Sequence, residues 1–348
     1  MIDIKTLIQG DDLTELFLNK SEYSLEKPEI YTGIKSLSGP YSIYYPLVSK
    51  YIATKSSIYY PENRKFALCL THDVDYIYPI FTHILASSLC YLKDRNFSKI
   101  FSNILWKQFG NKSQYLTFNE IIQLERNYGA KSTFFFLSTN EDIHRFRYNI
   151  EDVENELGNI IDSGFEVGLH GGYYSYNDAV RINSEKARLE KVLGKKVNGY
   201  RNHYLRMKIP NTWETLSKCG FNYDTTYGFS NAVGFRNGLC HPFTPYNNLM
   251  KRNIDILELP LNIMDSALLR SGRSIEGAWE IFKNLLGSVE ECRGVLNLNW
   301  HNDVFGSYFK KDQKKLYERI LKYCHDRDAW LTNCTELYNW WLKNDFNS

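Results

Sequence analysis

From about residue 65 onwards the chain alternates short apolar runs with amphipathic stretches. That alternation constrains its fold more than any other feature. The runs are 66–70, 133–137, 165–169, 197–200, 221–223, 254–259, 295–300 and 330–332. They are short and apolar throughout, as strands buried on both faces must be. Between them the spacing predicts helices. Thr117-Phe-Asn-Glu120 reads as a capping box, with Gly129 as the stop. Further helices are predicted from 150 to a stop at Gly164, from 185 to a stop at Gly194, and from Pro210 to Gly220. Two more are predicted over 274–289 and 312–323. Strand then helix, repeated about seven times, implies a parallel sheet with helices outside. At that repeat number a closed β/α barrel is favoured over an open sheet.

Two segments stand apart from the alternation. Residues 1–64 read as a mixed N-terminal extension, and 65–348 as the barrel domain. Residues 76–112 read as a helical insertion after the first strand. One amphipathic helix carries Ile77, Ile80, Phe81, Ile84, Leu85, Leu89 and Leu92. A second carries Phe97, Ile100, Phe101, Ile104, Leu105 and Phe109. Lys93, Arg95, Lys99, Lys107 and Lys112 accompany one acid, Asp94. Such a hairpin either packs its apolar stripe against the barrel or rests it on an anionic membrane.

Charge and cysteine content narrow the class. Lys plus Arg number 42 and Asp plus Glu 40, a net charge of +2. That balance argues against nucleic-acid binding, which needs a cationic excess. Aromatic residues make up 15% of the chain, which argues against disorder. The seven cysteines include no C-x-x-C pair, so neither a disulfide framework nor a zinc finger is expected, and a reducing compartment fits better. Acidic residues interrupt the first 16 positions, so no signal core fits there. The longest uncharged stretch, 76–92, falls short of the roughly 20 apolar residues a bilayer span needs. The expected location is cytoplasmic, at most at the inner face of the membrane.

The informative residues are those that follow the runs. Thr71-His-Asp-Val-Asp75 follows the first, His170-Gly-Gly-Tyr-Tyr-Ser175 the third, and Arg201-Asn-His-Tyr204 the fourth. Asp224 follows the fifth, and His301-Asn-Asp303 the seventh. In a β/α barrel the C-terminal strand ends share one face, where active sites are built. Asp and His converging there can hold a divalent metal through oxygen and nitrogen. A second carboxylate can take a proton from water, and a His opposite can protonate a leaving group. Together these hydrolyse an amide or an ester. Gly171 and Gly172 are read as allowing close backbone approach to a ligand. His72 faces the other way from Thr71 and Asp73 and is read as structural. His83, His144, His241 and His325 carry no motif.

At these residues the sequence resembles the NodB-type polysaccharide deacetylases, carbohydrate esterase family 4. Thr71-His-Asp-Val-Asp75 sits where that family has T-F-D-D-G. Gly129-Ala-Lys-Ser-Thr-Phe-Phe-Phe136 is similar to G-x-x-A-T-F-F. Gly164-Phe-Glu-Val-Gly-Leu-His170 is similar to G-H-E-I-G-x-H, Arg201-Asn-His-Tyr204 to R-x-P-Y, and Leu298-Asn-Trp-His301 to L-x-H. The resemblance implies a distorted (β/α)7 barrel that removes N-acetyl groups from sugars. By position, Asp73 would be the general base and Arg201 would orient it. Asp75 and His170 would bind the metal, the backbone N–H of Tyr204 would hold the oxyanion, and His301 would be the general acid. Asp224 or Asp303 could tune His301.

Two departures stand out. The family's second motif places another His four residues after the first, but position 174 is Tyr. His203, in the Pro position of R-x-P-Y, is the candidate replacement ligand. Val74 separates two acids that are usually adjacent; two apart on an extended chain, they still face the same way. Tyr174, Asp224 and Trp300 are the candidate substrate contacts.

The expected function is a zinc-dependent hydrolase removing an N-acetyl group from an amino sugar in cell-envelope polysaccharide synthesis. Its substrate would be an N-acylated saccharide, lipid-linked or nucleotide-linked, and no nucleic acid is expected. Removal of another acyl group such as formyl, or a non-catalytic carbohydrate-binding role, are the alternatives.

Overall fold

The computed structural model describes residues 13–18, 42–56, 58–105, 113–143, 147–270 and 272–344. His144 and the end of the insertion, with Lys107, Phe109 and Lys112, lie outside the described residues, as does most of the first 41 positions.

The strands are β1 (Ala67–Val74), β2 (Thr133–Leu137), β3 (Glu166–Gly171), β4 (Gly199–Asn202), β5 (Tyr223–Asp224), β6 (Tyr246–Asn247), β7 (Arg252–Asn253), β8 (Leu257–Glu258), β9 (Ile263–Met264), β10 (Val295–Asn299) and β11 (Trp330–Thr332). The helices are α1 (Leu13–Leu18), α2 (Leu47–Lys55), α3 (Phe81–Lys93), α4 (Phe97–Leu105), α5 (Phe118–Arg126), α6 (Glu154–Asp162), α7 (Ala179–Leu193), α8 (Asn211–Lys218), α9 (Asp265–Leu268), α10 (Ile275–Glu291), α11 (Asp303–Gly306), α12 (Lys311–His325) and α13 (Cys334–Lys343).

The main sheet runs β8-β5-β4-β3-β2-β1-β10-β9, all parallel, with β11 against the first half of β1. Its two ends belong to one short segment. Leu259 N donates to Asp224 O (2.8 Å) and Asn262 N to Asn297 O (3.1 Å). The segment therefore leaves β5 and arrives at β10, which closes the sheet into seven staves. Pro260, with no N–H to give, interrupts that stave and distorts the ring. This is the expected distorted (β/α)7 barrel. β6 and β7 form a separate antiparallel hairpin that the apolar pattern does not announce.

β2 falls on the expected residues. Others extend further than the apolar runs: β1 continues through Asp73, β3 through His170 and β4 through Arg201. The ladder needs only backbone N–H and C=O, so polar side chains can ride on it wherever they find partners. In α7, Asp178 accepts from the N–H groups of Val180 and Arg181, and Gly194 ends the helix with φ +68°. Ser274 caps α10 likewise. The expected capping box at α5 does not form: Thr117 Oγ1 donates instead to Asn302 O (3.0 Å), tying that helix to the β10 end.

The core fills the barrel and the layer beneath the helices, with Leu68, Leu70, Phe134, Phe136, Leu296 and Leu298 all buried. α1 and α2 pack onto the same body through Phe17, Val48 and Ile52. Ser49 Oγ accepts from the N–H groups of Cys240 and His241. All seven cysteines are free. Among the described residues no helix is long and apolar enough to cross a membrane.

Candidate functional site

Alternation along β1 sorts its polar residues. Thr71 and Asp73 point into the barrel and His72 points out. His72 Nδ1 lies 2.7 Å from Trp300 O and its Nε2 2.8 Å from Glu125 Oε1, so it ties β1 to α5 as a buried structural group.

Asp73 is buried, and each of its carboxylate oxygens accepts one hydrogen bond. Its Oδ1 accepts from Arg201 Nη1 (2.9 Å) and its Oδ2 from Asn299 Nδ2 (2.8 Å), and its N–H donates to Asn299 Oδ1 (3.1 Å). Burial pushes its carboxyl pKa up, but Arg201, with His170 and His301, outweighs that and holds it below the ordinary value. Arg201 is itself fully buried and fixed by Thr71 Oγ1 (2.8 Å), Thr225 O (3.2 Å) and Thr225 Oγ1 (3.0 Å). The register pairing Thr71 with Asn299 and His170 with Arg201 sets these groups at one depth.

Asp75 stands just past β1, between three imidazoles. His170 Nε2 lies 3.4 Å from its Oδ1; His203 Nε2 lies 3.4 Å and His301 Nε2 3.9 Å from its Oδ2. His170 Nδ1 lies 3.0 Å from Arg201 O, which can only accept. Nδ1 therefore carries a hydrogen, and Nε2 is the ring atom turned toward Asp75. Asp75 Oδ1 is buried and has no hydrogen-bond partner. Imidazole nitrogens and a carboxylate oxygen converging in this way are donors that a divalent cation takes. One ligand atom each from Asp75, His170 and His203 lie within 4.8 Å of one another. The donor set and the orphaned oxygen both fit a divalent metal. Burial would raise the Asp75 pKa, but His203, His170 and His301 hold it well below the usual carboxylate range.

His203 thus stands beside Asp75 and His170 in one cluster. Its ring stacks on Tyr204 (centroids 4.1 Å apart), and its Nδ1 lies 3.9 Å from buried Asp142. Asp142 is in turn ion-paired with Arg147, which also donates to Tyr204 Oη (3.0 Å). Tyr204 and Leu205 have φ of +60° and +53°. Two consecutive non-glycine residues in the left-handed region are strained, and such strain clusters at functional sites.

The opposite flank holds His301. Its Nδ1 lies 2.6 Å from Asp265 Oδ1, and its N–H donates to Asp265 Oδ2 (3.0 Å). Burial would lower the imidazole pKa, but Asp265, then Asp75 and Asp73, push it up to about 10. His301 is therefore a cation at neutral pH. A cleft of about 280 Å³ connects these groups, lined by Asp73, Asp75, His170, His203, Tyr204 and His301, with Asp303 and Lys310 at its edge.

Several expectations need correction. The partner of His301 is Asp265, not Asp224 or Asp303. Asp303 pairs with Lys310 (2.7 Å). Asp224 has no exposed surface; its Oδ1 accepts from Thr226 N–H (3.1 Å) and Thr226 Oγ1 (2.6 Å), so it cannot touch substrate. Trp300 also has none: alternation turns it away from His301 and against Tyr317. Tyr174 is 45% exposed, packed edge-on to Tyr173 and outside the cleft lining. The Gly171-Gly172 pair makes room for protein, not ligand. A Cβ on Gly171 would meet Tyr200 Oη at 1.9 Å, and one on Gly172 would meet Glu185 Oε1 at 2.8 Å. Asn299, Asp265 and Asp142 were not singled out by the sequence. Asp265 alone carried a signal, since it follows the Ile263-Met264 stave as the other site residues follow theirs.

No family model matches the sequence, and no curated protein matches it. Solved structures do match the fold. A polysaccharide-deacetylase structure from Mycobacterium smegmatis aligns with a TM-score of 0.54 at 18% identity, covering 82% of this chain and 92% of its own. The Puue allantoinase gives 0.56 at 14% identity, covering 83% and 94%. A polysaccharide-deacetylase structure from Pseudomonas aeruginosa PAO1 gives 0.53 at 13% identity, covering 90% and 99%. At such identities the likeness is one of fold. This chain carries the barrel fold that these three structures share.

Proposed function

We propose that this protein is a metal-dependent hydrolase that removes an N-acetyl group from an amino sugar of a cell-envelope polysaccharide, acting at the inner face of the membrane. The observation that carries the reading is the arrangement of one cleft. A deprotonated, doubly hydrogen-bonded Asp73 lies on one flank. A protonated His301 lies on the other, and Asp75, His170 and His203 lie between them. Two imidazoles and a carboxylate are donors that zinc favours. When bound, the metal supplies Lewis acidity that polarises the amide carbonyl and makes water more acidic.

The chain's own residues do the rest. Asp73 accepts the proton of the attacking water. Arg201 and Asn299 keep its carboxylate charged and aimed, leaving each oxygen a second lone pair for that proton. The backbone N–H of Tyr204, on its strained turn, holds the developing oxyanion. His301 Nε2 gives its proton to the departing nitrogen, and Asp265 steadies the imidazole. The amide C–N bond breaks, leaving acetate and a free amine on the sugar. A cleft this small takes the reacting end of a saccharide, with the remainder outside.

The test is metal analysis together with turnover on a panel of acetylated and formylated amino sugars. Asp73→Asn is expected to keep its metal while losing about two orders of magnitude in rate. Unchanged turnover in that variant would overturn the assignment. Release of formate in preference to acetate would change the acyl group and keep the chemistry.

A further inference from the structure

The insertion forms the two expected helices, α3 and α4, but its apolar stripe is not where a packed helix keeps it. Phe81, Leu85, Leu89 and Leu92 follow one another at helical spacing, and all four are exposed, Phe81 by 71% and Leu89 by 68%. The face of α3 that turns inward carries the small residues Ser87 and Ser88, both buried. This is the reverse of an ordinary surface helix, which hides its apolar stripe. Seventeen large apolar side chains are exposed among the described residues, and six of them fall between Ile80 and Phe97. Concentration on that scale marks an interaction surface.

The charges on the hairpin identify the partner. Between 76 and 105 the charged residues are Lys93, Asp94, Arg95 and Lys99. The three cations are exposed, and Asp94 Oδ2 accepts a hydrogen bond from Tyr308 Oη (2.7 Å). Lys93 and Arg95 sit at the turn between the helices, flanked by Leu92 and Phe97. Among the described residues no helix is long and apolar enough to cross a bilayer, so a membrane-bound hairpin would lie in its surface. A two-fold contact between copies would set these cations against themselves, which disfavours a homodimer.

We propose that the α3–α4 hairpin docks on an anionic lipid bilayer, burying Phe81, Leu85, Leu89, Leu92 and Phe97 among the acyl chains while Lys93, Arg95 and Lys99 meet the headgroups. The hairpin starts six residues after Asp75. It packs on the segment that forms the cleft edge: His83 Nε2 lies 3.1 Å from Ser307 Oγ, and Tyr91 and Tyr308 stack edge to face at 5.0 Å. The inference does not rest on the hydrolase reading.

Co-sedimentation of the full chain with vesicles tests it, comparing phosphatidylcholine alone with phosphatidylcholine mixed with phosphatidylglycerol. Binding to the anionic vesicles that weakens with salt is expected. Lys93→Gln/Arg95→Gln/Lys99→Gln should bind them about a hundredfold more weakly. Phe81→Ser/Leu89→Ser/Phe97→Ser should lose binding altogether, with an unchanged circular dichroism spectrum because these side chains are exposed. Asp73→Asn should bind as wild type, whatever its turnover. Absence of binding to either vesicle would overturn the proposal. So would a dimer of the wild-type chain that the serine variant dissolves while vesicle binding is absent.

Discussion

Two pairs of acids stand at the strand ends of this barrel, and they have opposite fates. Asp73 and Asp75 close β1; Asp224 and Glu258 lie directly opposite each other in the register of β5 and β8. Asp73, Asp224 and Glu258 are buried, and Asp75 is largely so. The first pair is held ionised, because Arg201 and three imidazoles face it. Among the described residues no cation pairs with the second. Burial pushes Asp224 up to about 6, and burial with its neighbour pushes Glu258 well above its ordinary value. Asp224 Oδ2 finds no donor unless one of the two carboxyls carries a proton. A carboxylate at a strand end is therefore not a functional group by position alone. The cation beside it decides whether it is a base or a neutral hydrogen-bonding strut.

Removing that cation is the strongest way to break the contrast. Arg201→Met takes from buried Asp73 the cation that is hydrogen-bonded to it, which costs about 3–5 kcal/mol. Denaturant titration should show the loss, and adding Asp73→Asn to the same chain should restore part of it. A single variant as stable as wild type would mean that Arg201 does not hold Asp73 ionised. The His301 flank carries a smaller effect. Asp265→Asn removes the group that raises the imidazole pKa, so turnover should fall by roughly a hundredfold with metal content unchanged. The basic limb of the pH–rate profile should also move to lower pH. A drop in rate without that movement would reduce Asp265 to a packing role.

The same contrast shows what the sequence can reveal. Closure of seven staves was legible because parallel strands buried on both faces leave unbroken apolar runs. The site was legible because a parallel barrel sends every C-terminal strand end to one face, so Asp73, Asp75, His170, His203 and His301 meet as the spacing implied. Asp265 was hidden because Pro260 and Asn262 break the apolar run before it, so its strand was not recognised. Trp300 and Asp224 were misread because strand-end position does not fix the direction of a side chain or supply its counterion. The hairpin was read correctly as two helices, yet periodicity is identical whether a stripe faces a core or a solvent.

The acid pair offers the finest test, and its sign follows from linkage. Asp224 has a folded pKa of about 6 against an ordinary 3.8, so the native state holds a proton that the unfolded chain has released between those values. The pair's contribution is thus fully present below about pH 4 and is lost as pH rises through about 6. Glu258→Gln places a permanent hydrogen donor beside Asp224. Its amide oxygen can still accept from Trp213 Nε1 (2.7 Å) or Tyr227 N–H (3.1 Å). The variant removes the Glu258 titration while burial still raises Asp224, so its stability should fall less steeply than that of wild type between pH 5 and pH 8. Paired denaturation curves at pH 5 and pH 8 measure the difference. Parallel pH dependence in the two proteins would show that Glu258 does not titrate above its ordinary value, and the distinction between the two strand-end pairs would collapse.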